Sequence, residues 1–196
     1  MEAFKTEKRK QKIISVVHAR QKSLRIVLEN IHDPHNVSAI FRTCDAVGVT
    51  KVSLLYTVEK FPKIGKKSSA SAFKWVEKEK FKDVEACYNN LRTEGFLILA
   101  SSICSDAVSL FDLDLTQKTA IVLGNEHRGV SEEAVKLADK KFLIPMCGMV
   151  QSLNVSVASA VVLYEAFRQR FKKNMYKKTE YSSEEMEELL QSWYMR

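Results

Sequence analysis

Apolar and polar positions divide the chain into short strands and amphipathic helices. Val37, Ile40, Phe41, Cys44 and Val47 fall at i, i+3, i+4, i+7 and i+10, which is one face of a helix. The stripe predicts a helix opened by Asn36 as N-cap and closed by Gly48, with Ser38, Arg42 and Asp45 turned the other way. Residues 5–20 predict a basic amphipathic helix with Ile13, Ile14 and Val17 as its stripe. Runs at 24–30, 51–57, 96–102, 119–125 and 141–146 predict strands, the last three of the kind buried on both faces. A shorter strand is expected in 75–81. Helices are expected at 83–95, ended by Gly95, and at 131–138, with Ser131 as N-cap and two glutamates in the first turn. Another is expected at 182–194, opened by a Ser182–Glu185 capping box. Residues 152–171 are apolar nearly all round and predict a buried helix. Between strands, residues 58–74 form a Lys- and Ser-rich loop holding Pro62 and Gly65, of a length that is usually functional or disordered.

Strands alternating with helices mean an α/β fold, a mainly parallel sheet flanked by helices. Ligands of such sheets sit beyond the carboxyl ends of the strands. The first strand-to-helix turn, "ENIHDPHN", has no G-x-G-x-x-G, so a nucleotide-like cofactor must be held by later loops at 100–106, 124–133 and 145–154.

Composition narrows the class. At 45% hydrophobic and 28% charged residues the chain is globular. It has no run of ~18 apolar residues that would span a membrane. The segment "MEAFKTEKRKQK" lacks the apolar core of a secretory signal. Cys44, Cys87, Cys104 and Cys147 form no C-x-x-C and do not pair with the four histidines at ligand spacing, so reduced cytoplasmic thiols and no metal are expected. The net charge of +7 concentrates in 5–12, 60–67 and 168–178, with Phe61, Phe171 and Tyr176 interleaved. That pattern points to a nucleic-acid partner, RNA above all, whose unpaired bases stack on aromatic rings.

Two loops carry candidate chemistry. In "IVLGNEHRGVSEE", Gly124 permits close approach of the backbone to a ligand, and Glu126 could orient a cation such as an arginine. In "IPMCGMVQSLNVSVASA", Ser152 and Asn154 place small polar groups at the start of an apolar helix, beyond what capping by Ser152 would need, whereas Ser156 and Ser159 read as close packing of small residues. His35 and His127 flank these positions and read as exposed or RNA-facing rather than as general bases.

Together, N-x5-R in "HNVSAIFRTCDAVGV", "LGNEHRGVS" and "IPMCGMVQSLNVSVASAV" resemble the three motifs of the SpoU-type (SPOUT superfamily) RNA ribose 2′-O-methyltransferases. Their order and spacing match across residues 24–167. The segments "VVHARQKSLRIVLENIHDPHN" and "KKSSASAFKWVE", and the C-terminal helix ending near Trp193, are similar to the TrmH branch, the tRNA guanosine-2′-O-methyltransferases. The resemblance implies a deep trefoil knot within about 119–167, S-adenosylmethionine as cofactor, an obligate homodimer in the cytoplasm, and tRNA as substrate, with guanosine 18 of the D-loop as target. It divides the chain into a basic helical extension (1–20), a methyltransferase domain (21–171) and a C-terminal helical extension (172–196). The catalytic set it implies is Asn36, Arg42, Glu126, Ser152 and Asn154. Gly124, Asn125, Ile144 and Leu153 match cofactor-holding positions, and Ala100–Ser101 matches less sharply. Ala72 and Phe73 depart from the family, which more often has glycine and a polar residue there.

The chemistry suits these residue types. A ribose 2′-hydroxyl is a weak acid, whereas a sulfonium is already a good leaving group, so the protein chiefly positions and activates the nucleophile. Arginine is a poor general base. The expectation is therefore that Asn36 and Glu126 orient Arg42, which binds the substrate phosphate and helps take or stabilise the departing proton, whether or not it is the literal base. A ribosomal RNA methyltransferase of the same family is the main alternative. A non-catalytic RNA-binding module would not need the complete catalytic set, and a DNA-binding protein lacks a helix-turn-helix cue. Helix 152–171 has more apolar surface than one small sheet covers. Either a two-fold partner takes the excess, or Met186, Leu189, Leu190 and Trp193 of the C-terminal helix do.

Overall fold

Leu24–Glu29 (β1) is buried at every position, as befits a strand covered on both faces. It is an inner strand, third of seven, of the sheet in the computed structural model, which describes residues 6–62 and 72–196. The other strands are Lys51–Leu55 (β2), Glu77–Phe81 (β3), Leu97–Ser101 (β4), Val108–Ser109 (β5), Thr119–Leu123 (β6) and Lys140–Leu143 (β7). Their order is β3-β2-β1-β6-β4-β7-β5, and every pairing is parallel. Only the two-residue β5 was not foreshadowed by the sequence pattern.

Alternation along the strands splits the core into two layers. Leu24, Ile26 and Leu28 of β1, Val52 and Leu54 of β2, and Ile121 of β6 pack under Pro34–Ala46 (α2) and Val155–Lys172 (α5). Val27, Leu55, Ala120 and Val122 face the opposite way, under Val84–Thr93 (α3) and Glu132–Leu137 (α4). Glu7–His18 (α1) and Ser183–Tyr194 (α6) pair with each other through Ile13, Val17 and Trp193, whose ring lies 4.7 Å from that of Trp75. Ser182 and Glu185 form the expected capping box.

Several expectations are corrected. Asp33, not Asn36, is the N-cap of α2: it accepts from His35 N at 2.8 Å, and Pro34 supplies a fixed φ at the first helical position. The apolar stripe begins only at Val37, which made the helix look three residues shorter. Ser38 is buried, and Asp45 is taken by the buried Arg20. On α1 the buried stripe is Ile13 and Val17, one turn apart, while Ile14 is exposed. Asn154 caps α5, so Ser152 precedes that helix rather than opening it. The α6 residues Met186, Leu189, Leu190 and Trp193 pack on α1 and Trp75, not on α5. Lys5 and residues 63–67 of the basic stretches lie outside the described residues.

Candidate functional site

Three loops at the carboxyl end of the sheet are tied by asparagine side chains. Asn30, in the left-handed region at φ 52°, ends β1 and accepts through Oδ1 from the backbone N–H groups of Thr57, Val58 and Glu59 at 3.0–3.1 Å. Its own carbonyl accepts from Asn125 Nδ2 at 2.9 Å. Asn125 Oδ1 in turn accepts from His127 N at 2.9 Å, and Gly129 N closes the turn on Asn125 O at 2.8 Å. This turn folds so tightly that a Cβ on Gly124 would meet the backbone of Gly129 and Val130 at 2.1–2.2 Å. No other residue fits position 124 without moving the loop.

Held this way, Glu126 reaches α2 and α5. Asn36 Nδ2 donates to Glu126 Oε1 at 2.6 Å, and Asn36 Oδ1 accepts from Asn154 Nδ2 at 3.1 Å. Asn154 Oδ1 caps α5 by accepting from Ser156 N at 2.9 Å. A single chain of side-chain hydrogen bonds thus joins the first turn of α2, the loop after β6 and the start of α5. Glu126 Oε2 is buried and has no hydrogen-bond partner among the described residues; His32 Nδ1 is 3.8 Å from it. Tyr56 closes the same corner, donating to Ile31 O at 2.6 Å. Burial, reinforced by the Glu126 carboxylate, pushes its phenol pKa up, so it stays a neutral donor.

Beside this chain lies a cleft of about 330 Å³, within the range of small-molecule sites. Ser101, Gly124, Asn125, Glu126, Ile144, Ser152 and Leu153 line it, together with apolar Leu123, Leu143, Met146 and Val155. Walls of this kind suit a ligand with an apolar body and several hydrogen-bonding groups. Ala100 is not among them. It points from β4 into the core under α3 and α4, while its neighbour Ser101 lines the cleft: the strand's two-residue period turns adjacent side chains to opposite faces. Arg42 is exposed on α2, outside the cleft walls. Six residues separate it from Asn36, which at 3.6 per turn puts the two on different sides of the helix.

His35 and His127 are exposed, as expected of RNA-facing or solvated imidazoles. His32, which no motif singled out, lies beside Glu126 and 6.2 Å from the His127 ring. Gln151 and Arg128 also line the cleft; both sit inside the quoted loops, so a reading of loop position rather than residue chemistry would have found them. Phe73 stacks on Phe41 of α2 at 4.1 Å, and Ala72 is buried, so both side chains are taken up in packing. Among the described residues no group of His, Cys, Asp and Glu is arranged to hold a metal ion.

Residues 23–164 match the model of the SpoU rRNA Methylase family. The chain is similar to a tRNA (guanosine(18)-2′-O)-methyltransferase of Aquifex aeolicus, 42% identical over 98% of this chain and 92% of that protein. It is likewise similar to a protein of that name from Thermus thermophilus, 43% identical over 96% of this chain and 97% of that protein. The crystal structure of an A. aeolicus TrmH/SpoU tRNA modifying enzyme superposes with a TM-score of 0.89 at 42% identity, covering 96% of each chain. The SpoU methyltransferase AviRb of Streptomyces viridochromogenes, solved in complex with AdoMet, gives 0.69 at 26% identity, covering 78% of this chain and 59% of its own. With a parallel sheet, a cleft at its carboxyl end and matches of this extent, the chain belongs to the SpoU methylase family.

Proposed function

We propose that this protein uses S-adenosylmethionine to methylate the ribose 2′-hydroxyl of a tRNA guanosine, nucleotide 18 of the D-loop. The observation that carries the reading is the Glu126–Asn36–Asn154 chain, which fixes a carboxylate at the wall of a ligand-sized cleft. The names of the relatives, which span nearly the whole chain, supply the nucleotide.

Ser101, Gly124, Asn125, Ile144 and Leu153 would hold the cofactor, with the side-chain-free Gly124 letting main chain form part of the wall. The chemistry it supplies is a methyl group on a sulfonium, an electrophile with a good leaving group. The chain's own residues handle the nucleophile. Arg42 binds the phosphate beside the target ribose and stabilises negative charge on the 2′-oxygen as its proton passes to water. Asn36, on a different side of α2 from that arginine, holds Glu126 at the cleft wall instead of orienting Arg42, and Asn154 and Ser152 fix the approach of the ribose beside the cleft. Residues 21–171 form the methyltransferase unit, with the knot in 119–167, and α1 and α6 are extensions of it. The enzyme acts in the cytoplasm as a homodimer, built on the exposed apolar side chains of α5 beside α2.

Purified protein, methyl-labelled S-adenosylmethionine and a tRNA transcript test the reading. Label recovered as 2′-O-methylguanosine at position 18, and lost when that nucleotide is 2′-deoxyguanosine, is the expected result. Label entering ribosomal RNA but not tRNA would overturn it.

A further inference from the structure

The outer strand of the sheet, β3, reads Glu-Lys-Glu-Lys-Phe, and its alternation sorts the charges by face. Lys78 and Lys80 pair in register with Val52 and Leu54, the β2 residues that pack under α2. Both side chains therefore leave the strand on the α2 face, from Cα atoms about 7 Å apart. Glu79 points the other way and pairs with Arg25 at 3.4 Å. Neither lysine has a carboxylate partner among the described residues, and residues 63–71 contain no Asp or Glu.

Each ammonium is perched on an aromatic ring that leads into the site. Lys78 Nζ lies 5.1 Å from the centre of Phe73, which stacks on Phe41 at 4.1 Å, the residue before Arg42. Lys80 Nζ lies 5.7 Å from Phe61, which meets Tyr56 edge-on at 5.4 Å; Tyr56 holds the Ile31 carbonyl next to His32. The rings fix both charges on the face that carries Arg42. Burial and the neighbouring Lys80 both lower the pKa of Lys78. Lysines on an edge strand also discourage pairing with another sheet, but that task does not require two like charges on one face over aromatic supports.

We propose that Lys78 and Lys80 form a phosphate-binding step for the RNA substrate, gripping backbone phosphates that flank the nucleotide delivered to Arg42. The inference rests on the tRNA-methyltransferase reading and assigns it a contact surface outside the basic stretches 5–12, 60–67 and 168–178. Phosphate contacts set register on the nucleic acid without reading its bases.

The test compares tRNA binding and methylation by the wild type, Lys78→Gln/Lys80→Gln, Lys78→Arg/Lys80→Arg and a control, Lys118→Gln/Lys140→Gln. The control removes the same charge at the amino ends of β6 and β7, away from the site. The Gln pair should weaken tRNA binding about tenfold and flatten the plot of log Kobs against log[salt] by about 1 per lysine. It should raise KM for tRNA more than it lowers kcat. The Arg pair should bind and respond to salt as the wild type does. Saturating tRNA should also protect Lys78 and Lys80 from an amine-acylating reagent read by mass spectrometry. An unchanged salt slope in the Gln pair, an equal loss in the control, or no protection by tRNA would each overturn the proposal. Failure of the wild type to bind or methylate tRNA would instead overturn the function on which it rests.

Discussion

Asp33 and Asn36 stand three residues apart at the start of α2 and do different work. Asp33 satisfies a backbone N–H of the first turn, so Asp33→Ala should cost about 1 kcal/mol in denaturant unfolding while methyl transfer at saturating substrate persists. Asn36→Ala removes the donor to Glu126 and the acceptor for Asn154. It should abolish most of the turnover, and the carboxylate left with fewer donors adds a stability loss of about 1–3 kcal/mol. Equal turnover in the two variants would refute the distinction. Arg42→Ala should abolish methyl transfer and leave cofactor binding, measured calorimetrically, close to the wild type, because Arg42 is exposed and outside the cleft walls. The identities of Asn36, Glu126 and Asn154 were legible in the sequence as motif residues. Their mutual hydrogen bonds were not, since partners lie 90 and 118 positions apart and meet only through the strand order. His32 had no motif to mark it, and the strand's two-residue alternation, which turns the Ala100 side chain to the core and Ser101 to the cleft, was not used to tell the two apart.

At the level of elements, periodicity placed, among the described residues, each α-helix and all strands but β5, though not the 3-10 turns at 72–74, 110–112 and 175–177, because an apolar stripe states what an element must bury. It could not state which elements meet. The basic stretch 168–178 shows the limit. Its charges read as one RNA-facing run, yet Arg168 pairs with Glu165 at 2.7 Å and Arg170 is fully buried. Arg170 donates to the carbonyls of Leu115, Ser23 and Gln117 at 2.7–3.0 Å and to Ser23 Oγ at 2.7 Å, binding the end of α5 to the segments that precede β1 and β6. Burial lowers its pKa, partly offset by Glu180 at 3.9 Å, so the surrounding carbonyls are what keep the charge tolerable. Arg170→Met should therefore lower unfolding free energy by about 3–5 kcal/mol. Neutralising the exposed Lys172 and Lys177 should leave stability within about 0.5 kcal/mol and act on RNA binding instead. An Arg170→Met protein as stable as the wild type would show that the buried guanidinium is not a structural tie.

The whole molecule leaves one long element incompletely covered. Helix α5 is apolar nearly all round in sequence, and in the fold its inner side meets the sheet and α2 while Val157 (48% exposed), Tyr164 (53%) and Phe171 (61%) line its outer side at seven-residue intervals. The C-terminal helix cannot cover them, since α6 is occupied with α1. Exposed positions of α2, including Ala39 and Arg42, belong to the helix packed against α5, so a partner seated on this stripe would adjoin Arg42. A two-fold contact buries the same patch on both copies and is apolar at its centre. From the sequence alone, charge introduced at Val161 or Val162 would have disrupted either a monomer core or an interface, because nothing distinguished the two sides of the helix. The exposures now separate them: Val162 is 1% exposed and belongs to the monomer's core, while Val157 does not. Val157→Arg should leave the far-ultraviolet spectrum unchanged, halve the mass measured by light scattering at micromolar concentration, and remove methyl transfer with it. In a monomeric protein the same substitution would change stability by no more than about 0.5 kcal/mol and leave both mass and activity as they were. A wild type that scatters as a single chain at full activity, or a Val157→Arg protein that keeps both the doubled mass and the turnover, would refute the dimer.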